Sequence, residues 1–159
     1  MEPLVTNCPY RKATVSSCSE GACQLQINNT SNLIVLKGEI VRDIFLNMRK
    51  MNNIGNKAAD YILIKTVNAT FKFILVEMSL TLHKPSILES KFKNSLLHLE
   101  QIINCEEENI NNYTVKLIVA YKKVRSSSQF QHIFKRMRFN FFGKDLVLRN
   151  VKCGNLIEV

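Results

Sequence analysis

Two acidic residues, each at one end of an apolar segment, are the residues of this sequence most suited to chemistry. Asp60 opens the first segment, a polar turn follows at 68–70, and Glu77 lies near the end of the second segment, 71–78. If the segments pair as a hairpin, residues equally far from the turn lie opposite each other, with Cβ atoms roughly 5 Å apart. Carboxylates that close repel each other unless a cation lies between them, and Mg²⁺ prefers such oxygen ligands. One interpretation of this spacing is therefore a Mg²⁺ site built from Asp60 and Glu77.

A simpler interpretation of the same pattern stays open at this point. Asp60 then does no more than begin a strand, and Glu77 is a solvated residue at a strand end. Hairpins with an acid at each end are common, so the spacing alone does not choose between the two interpretations.

The segment after Glu77 predicts an amphipathic helix. Its apolar residues recur at helical spacing and form an inward stripe of Leu88, Phe92, Leu96, Leu99 and Ile103. A separate polar row contains Lys91, Asn94, His98 and Gln101. This row is either a solvated face or a source of further groups for the acid pair.

The order of predicted elements indicates the fold class. Segments 23–27 and 33–36 flank turn residues and predict a hairpin, and an amphipathic helix is predicted over 39–50. Segment 71–78 is nearly all apolar, which is typical of a central strand covered on both faces. Apolar strands that alternate with helices predict an α/β fold, a single-domain mixed β-sheet flanked by helices.

A chain of 159 residues without a linker-like segment predicts one domain over 1–159. Within it we expect an irregular lead-in over 1–22, a core over 38–121 and a basic C-terminal part over 122–159. Hydrophobic residues make up 46% of the chain, which is enough for a packed core.

The formal net charge of +9 favours a polyanionic partner, nucleic acid before an anionic membrane. The basic residues that we assign to nucleic-acid binding are Lys122, Lys123, Arg125, Lys135, Arg136 and Arg138. A charged solvated face is the alternative for them. We expect no membrane association, because no segment reaches the length of a membrane span and the basic helices lack a separate apolar face.

The five cysteines have irregular spacings and no CxxC pair. We therefore expect reduced thiols in a cytoplasmic protein, and the N-terminus has no apolar signal core that argues otherwise. A zinc site from Cys8, Cys18 and Cys23 is the alternative.

The stretch from the helix at Glu39 to the strand at Tyr113 resembles the PD-(D/E)xK nuclease superfamily. Ala59-Asp60-Tyr61 matches the first half of its motif, and Val76-Glu77-Met78-Ser79 matches the second. The resemblance implies a restriction-endonuclease-like core of helix, three strands, helix and strand. It also implies Mg²⁺-dependent hydrolysis of phosphodiesters, with Asp60 and Glu77 as metal ligands.

The motif departs from the family at its lysine, because Ser79 stands in that position. A serine hydroxyl carries no positive charge and is a poor base near neutral pH. Either the protein is inactive or another lysine fills the place. Lys72 alternates to the opposite face of its strand, so we assign the catalytic role to Lys91 on the following helix. Glu39 and Gln101 are the auxiliary candidates by resemblance.

Two classes of function follow from the resemblance. The first is a metal-dependent nuclease, more on DNA than on RNA, in defence or in the handling of mobile-element DNA. The second is a catalytically inactive nuclease-fold protein that binds nucleic acid or another protein. A protein partner or a homodimer stays open in both.

Overall fold

The computed structural model of the protein describes residues 8–28, 30–50, 56–79, 84–105, 112–122, 132 and 134–159. Its two long helices are α1 (Gly38–Met48) and α2 (Pro85–Cys105), and a 3-10 turn covers Pro9–Ala13. The strands in chain order are β1 (Thr14–Val15), β2 (Ser19–Glu20), β3 (Cys23–Gln24), β4 (Gln26–Asn28), β5 (Leu33–Lys37), β6 (Tyr61–Val67), β7 (Thr70–Ser79), β8 (Tyr113–Tyr121), β9 (Phe139–Phe141), β10 (Lys144–Leu146), β11 (Leu148–Lys152) and β12 (Leu156–Glu158).

Six of these strands form one mixed sheet in the order β1-β5-β6-β7-β8-β11. Neighbours from β1 to β7 are antiparallel, whereas β8 runs parallel to both β7 and β11. The parallel step from β7 to β8 needs a long crossover connection, and α2 lies within it. The chain is therefore a single mixed α/β domain, as the order of elements predicted.

Strand β7 lies in the interior of the sheet. Phe73 and Leu75 face the helices, Ile74 and Val76 face the other way, and all four are fully buried. This confirms the prediction that the apolar segment 71–78 is a central strand covered on both faces.

The two helices pack on the same face of the sheet. Val41 and Phe45 of α1 and Phe92 and Leu99 of α2 belong to one core with that face. In the described part of the chain, short terminal strands and not helices cover the opposite face. Apolar residues that precede β5 or follow β11 fill this second core: Cys18, Cys23, Leu25 and Ile157.

The predicted hairpin between segments 23–27 and 33–36 does not form. Strand β4 pairs with β12 in parallel, and β5 pairs with β1 and β6. Leu36 and Val35 of β5 are buried on opposite faces of the sheet, which requires an interior position that a short hairpin does not provide. The resemblance implied three strands between the two helices. Among the described residues, two strands, β6 and β7, lie between α1 and α2, and the third antiparallel strand, β5, precedes α1.

Four of the five cysteines form disulfides, so the expectation of reduced thiols is wrong for them. Cys8 pairs with Cys105 and Cys23 pairs with Cys153, with Cα–Cα distances of 6.0 and 5.2 Å. Cys18 remains free and buried, and burial raises the pKa of its thiol to about 12. The zinc alternative fails because two of its three ligands are in disulfides. Reduced thiols therefore no longer support a cytoplasmic location.

The longest helix, α2, has 21 residues and carries several charged side chains. Neither α2 nor any other helix in the described ranges is long and apolar enough to cross a membrane.

Candidate active site

Asp60 and Glu77 lie opposite each other at one end of the sheet. Tyr61 pairs with Val76 in the β6–β7 ladder, and one further step of the same register brings Asp60 opposite Glu77. Side chains alternate along a strand. Asp60 therefore shares a face with Ile62, and Glu77 shares a face with Leu75, both of which lie in the core that packs against the helices. The turn at 68–70 has brought the two acids to the same side of the sheet.

The acid pair is held by hydrogen bonds across the ladder. The backbone N–H of Met78 donates to Asp60 Oδ2 at 2.7 Å. The backbone N–H of Asp60 is hydrogen bonded to the carboxylate of Glu77. Each carboxylate thus accepts a bond from the backbone of the other strand, which fixes both side chains.

Lys91 of α2 supplies the positive charge at this pair. Its Nζ donates to Glu77 Oε1 at 2.5 Å, and its side chain is 16% exposed. Ser79, which stands at the lysine position of the motif, is buried next to the same strand end. An ammonium group therefore reaches the acids from the helix, whereas the motif position itself provides none.

Burial governs the protonation of the two acids. Glu77 is fully buried, and burial followed by the charge of Asp60 raises its pKa to about 7, although Lys91 opposes the rise. Burial also raises the pKa of Asp60, while the hydrogen bond from Met78 and the charge of Lys91 lower it. The simpler interpretation of Glu77 as a solvated strand-end residue is wrong.

Gly38, the first residue of α1, packs directly on the segment that carries Asp60. Its N–H donates to the backbone oxygen of Asp60 at 2.7 Å. A Cβ atom at Gly38 would lie 1.8 Å from the backbone oxygen of Ala59. Only glycine permits this approach, so the start of α1 fixes the position of Asp60.

The same segment is held from the other side by α2. The buried Oγ of Ser95 accepts a hydrogen bond from the N–H of Ala59 at 2.8 Å. The side-chain amide of Asn94 donates to the backbone oxygen of Lys57 at 2.8 Å. Asn94, which the sequence placed on a polar row, therefore has a structural contact with the segment before Asp60.

A charged cavity of about 190 Å³ opens beside the acid pair. Its acidic lining residues are Asp60, Glu39 and Glu20, and its basic ones are Lys91, Lys37, Arg42 and Lys57. Within this lining, Lys37 Nζ is 2.5 Å from Glu20 Oε2 and also donates to the Tyr61 hydroxyl at 3.2 Å. Because both acidic and basic side chains line the cavity, it suits an anionic ligand that carries a bound cation.

The cavity brings together some of the predicted residues and adds others. Glu39, at the start of α1, lines it, and its role as an auxiliary ligand stays a prediction. Gln101 does not line it, because ten residues of helix place it about 15 Å along the axis from Lys91. Lys37, Arg42 and Lys57 are not among the site residues predicted from the sequence. The sequence feature that could have pointed to these lining residues is Gly38, which joins a strand to a helix without a loop.

His98 is not part of a solvated row. It is almost fully buried between the helices, with its ring centroid 4.7 Å from that of Phe45. Burial lowers its pKa to about 4, with a smaller effect from the charge of Arg42. His98 is therefore a neutral packing residue at physiological pH.

The basic residues predicted to bind nucleic acid fall into three groups. Lys122 is exposed, and its N–H donates to the backbone oxygen of Ser79 at 3.2 Å, so it lies at the same sheet end as the acid pair. Lys135, Arg136 and Arg138 are exposed ahead of β9. Lys123 and Arg125 lie outside the described residues.

The acids fit a Mg²⁺ ion in the kind of donor that they provide. Mg²⁺ in enzyme sites is commonly bound by one or two carboxylates, with waters and substrate phosphates as the other ligands. Asp60 and Glu77 are such a pair, and Asp60 lines the charged cavity together with Glu39, whereas Glu77 is fully buried and does not line it. Within the described residues no group of three or more His, Cys, Asp or Glu side chains is arranged to hold a metal.

Comparisons of this chain with protein-family models, with curated proteins and with solved structures find no match. A function is therefore inferred from the geometry of the site.

Proposed function

We propose that this protein is a Mg²⁺-dependent phosphodiester hydrolase that acts on nucleic acid. The observation that carries the proposal is the buried Glu77, opposite Asp60 and in contact with the ammonium group of Lys91. A fully buried carboxylate beside a second, half-buried carboxylate is a costly arrangement for stability alone. We further propose that the core is a variant of the restriction-endonuclease-like core in which β5 supplies the third antiparallel strand.

Each residue of the site has a distinct role. Asp60 and Glu77 would hold the Mg²⁺ ion, with Glu39 as the auxiliary acid. A bound metal would lower the pKa of a water molecule and neutralise charge on the phosphate. Lys91 opposes the protonation of Glu77 by lowering its pKa, and it offers positive charge to the scissile phosphate. Gln101 has no role in this proposal.

The substrate is held through its phosphates. Arg42 and Lys57 line the cavity beside Asp60, and Lys122 lies at the same end of the sheet. Together with the net charge of +9, these cations favour a nucleic acid, and we retain DNA as the first candidate. Because each phosphate contact releases counterions, binding weakens steeply as salt rises.

The test is a cleavage assay with Mg²⁺ or Mn²⁺ on single-stranded and duplex DNA and on RNA. We expect cleavage by the wild type and loss of it in Asp60→Asn and Glu77→Gln, which keep the shapes of the acids. Glu158→Gln is the matched control, because Glu158 is exposed on β12. A folded wild-type protein that cleaves no substrate with either metal contradicts the proposal.

Ser79 favours one alternative, a catalytically inactive protein of the same architecture that binds nucleic acid. The motif position carries no ammonium group, and the lysine that replaces it is engaged with Glu77. Salt-dependent binding of DNA or RNA without cleavage identifies this alternative. Absence of both activities points to a protein partner.

A further inference from the structure

A second cavity lies on the other side of α2, between this helix and the hairpin formed by β9 and β10. Its volume is about 330 Å³, within the range of small-ligand sites. Aromatic side chains of Phe139, Phe141 and Phe142 form part of its lining, with Leu97 of α2. The cavity is separate from the charged one, whose lining contains none of these residues.

Two of the most exposed large apolar side chains of the described residues meet at this cavity. Leu97 is 52% exposed and Phe142 is 55% exposed, and both line it. The ring of Phe142 packs against that of Phe141 with centroids 4.6 Å apart. An exposed aromatic ring supported from behind by another ring is a platform for stacking.

The backbone conformation at Phe142 is unfavourable for a large side chain. The two residues between β9 and β10 are Phe142 and Gly143, with φ of 47° and 77°. Such turns favour Asn, Asp or Gly, because a left-handed conformation is unfavourable for a large side chain. Residues in unfavourable backbone conformations cluster at binding sites. The turn therefore contains a conformationally unfavourable residue, and the aromatic ring of that residue lines the cavity.

Charged side chains complete the lining, with Lys93 and Arg138 as the basic residues and Glu100 as the acidic one. Lys93 Nζ is 2.6 Å from Glu89 Oε1, and Lys144 Nζ lies 4.1 Å above the ring of neighbouring Tyr113. Arg138 is held by two hydrogen bonds from Nη1, to the backbone oxygens of Lys135 at 2.5 Å and Met137 at 3.1 Å. Aromatic rings flanked by cations match a nucleotide, which has a flat base and an anionic phosphate.

We propose that this cavity binds an unpaired base of a single-stranded nucleic acid, with the base on Phe142 and a flanking phosphate at Arg138 and Lys93. The proposal rests on the proposed function and narrows its substrate class from nucleic acid to single strands. Leu97, which lines the cavity, lies about 9 Å along α2 from Lys91 and on another face of the helix, because the two residues are six positions apart. The bound base is therefore away from the phosphate that is cleaved.

The test measures binding of fluorescein-labelled dT10 by anisotropy, with wild-type protein in EDTA so that cleavage does not interfere. Stacking of a base on an aromatic ring predicts that Phe142→Ala weakens dT10 binding about tenfold. Phe142→Trp retains the affinity. Val147→Ala is the matched control, because Val147 is also 55% exposed but does not line the cavity. A duplex of the same length has no unpaired base, so its affinity is unchanged by Phe142→Ala.

Three results would overturn the proposal. In the first, Phe142→Ala and Val147→Ala affect dT10 binding equally. In the second, the wild type does not bind dT10 even at low salt. In the third, sedimentation shows self-association that Phe142→Ala abolishes while dT10 binding is unchanged, which assigns the cavity to a second copy of the chain.

The two proposals fail in distinguishable ways. If dT10 binding depends on Phe142 but no substrate is cleaved with Mg²⁺ or Mn²⁺, the base site stands and hydrolysis fails. If the protein cleaves nucleic acid but Phe142→Ala leaves dT10 binding at the wild-type value, hydrolysis stands and the base site fails.

Discussion

Asp60 and Glu77 are joined through each other's backbone at the last step of the β6–β7 ladder. Asp60 Oδ2 accepts a hydrogen bond from the residue after Glu77, and the N–H of Asp60 is hydrogen bonded to the carboxylate of Glu77. Because the two carboxylates also lie close enough for their charges to interact, a change in one alters the protonation of the other. The two carboxylates therefore titrate as a coupled pair.

Lys91→Met is expected to disable the site without removing either acid. The ammonium group lowers the pKa of Glu77, so its loss raises that pKa above about 7 and leaves more of the acid protonated at neutral pH. We expect a fall in cleavage rate on the order of 100-fold, as for loss of one charge-stabilising group. The measurement is a cleavage time course at several pH values. Lys72→Met is the control, and an equal loss there would contradict the assignment of Lys91.

Protonation of Glu77 also gives stability a defined pH dependence. Its pKa is raised in the folded chain, so the folded state binds the proton more tightly than the unfolded state does. The free energy of unfolding therefore falls as pH rises from 4.5 to about 7, by on the order of 3 kcal/mol from this group. Urea unfolding across that range measures the fall. Glu77→Gln removes the contribution, whereas Glu158→Gln retains it, and identical profiles for wild type and Glu77→Gln would refute the burial argument.

Gly38→Ala is expected to damage the site through the backbone. The added methyl group meets the backbone oxygen of Ala59 and displaces the segment that carries Asp60. We expect a loss of about 1–3 kcal/mol of stability, as for other forced contacts in a packed core, together with loss of cleavage. Gly154→Ala is the control, because Gly154 has a positive φ but open space around it. We expect Gly154→Ala to lower the free energy of unfolding by roughly 1–2 kcal/mol and to keep full activity. Unchanged stability of Gly38→Ala in urea unfolding would show that the helix start is not in contact with this segment.

The two disulfides predict how many cysteine thiols react in the denatured protein. Denaturation without reductant exposes one reactive thiol, that of Cys18, and denaturation after reduction exposes five. Cys18→Ala lowers the first count to zero. Replacement of Cys8 and Cys105 by serine removes a link between residues 97 positions apart and costs about 2–5 kcal/mol. Thiol titration and thermal unfolding provide the measurements, and five reactive thiols before reduction would disprove both bonds.

Much of the site could be predicted from the sequence because it depends on local pattern. The polar turn at 68–70 between two apolar segments sets the register of β6 and β7, and the register brings Asp60 opposite Glu77. Helical spacing placed Lys91 on a face distinct from the apolar stripe. Turn position and side-chain periodicity act over a few residues, so they are readable without knowledge of the fold.

Other features could not be predicted because they join distant parts of the chain. The predicted hairpin of segments 23–27 and 33–36 had strong turn residues, but β4 pairs with β12 near the other end of the chain. The sequence also did not indicate which cysteines pair, since irregular spacing carries no information on spatial neighbours.

The amino-acid sequence by itself determined the acid pair, the central strand that carries Glu77 and the helix that carries Lys91, because turns and periodicity are local properties. Only the tertiary structure decided that Lys91 contacts Glu77, that Gly38 fixes the segment of Asp60 and that burial raises the pKa of Glu77 to about 7. These relationships depend on how α1, α2 and the sheet pack together. Packing is set by the whole set of long-range contacts, which no single segment contains.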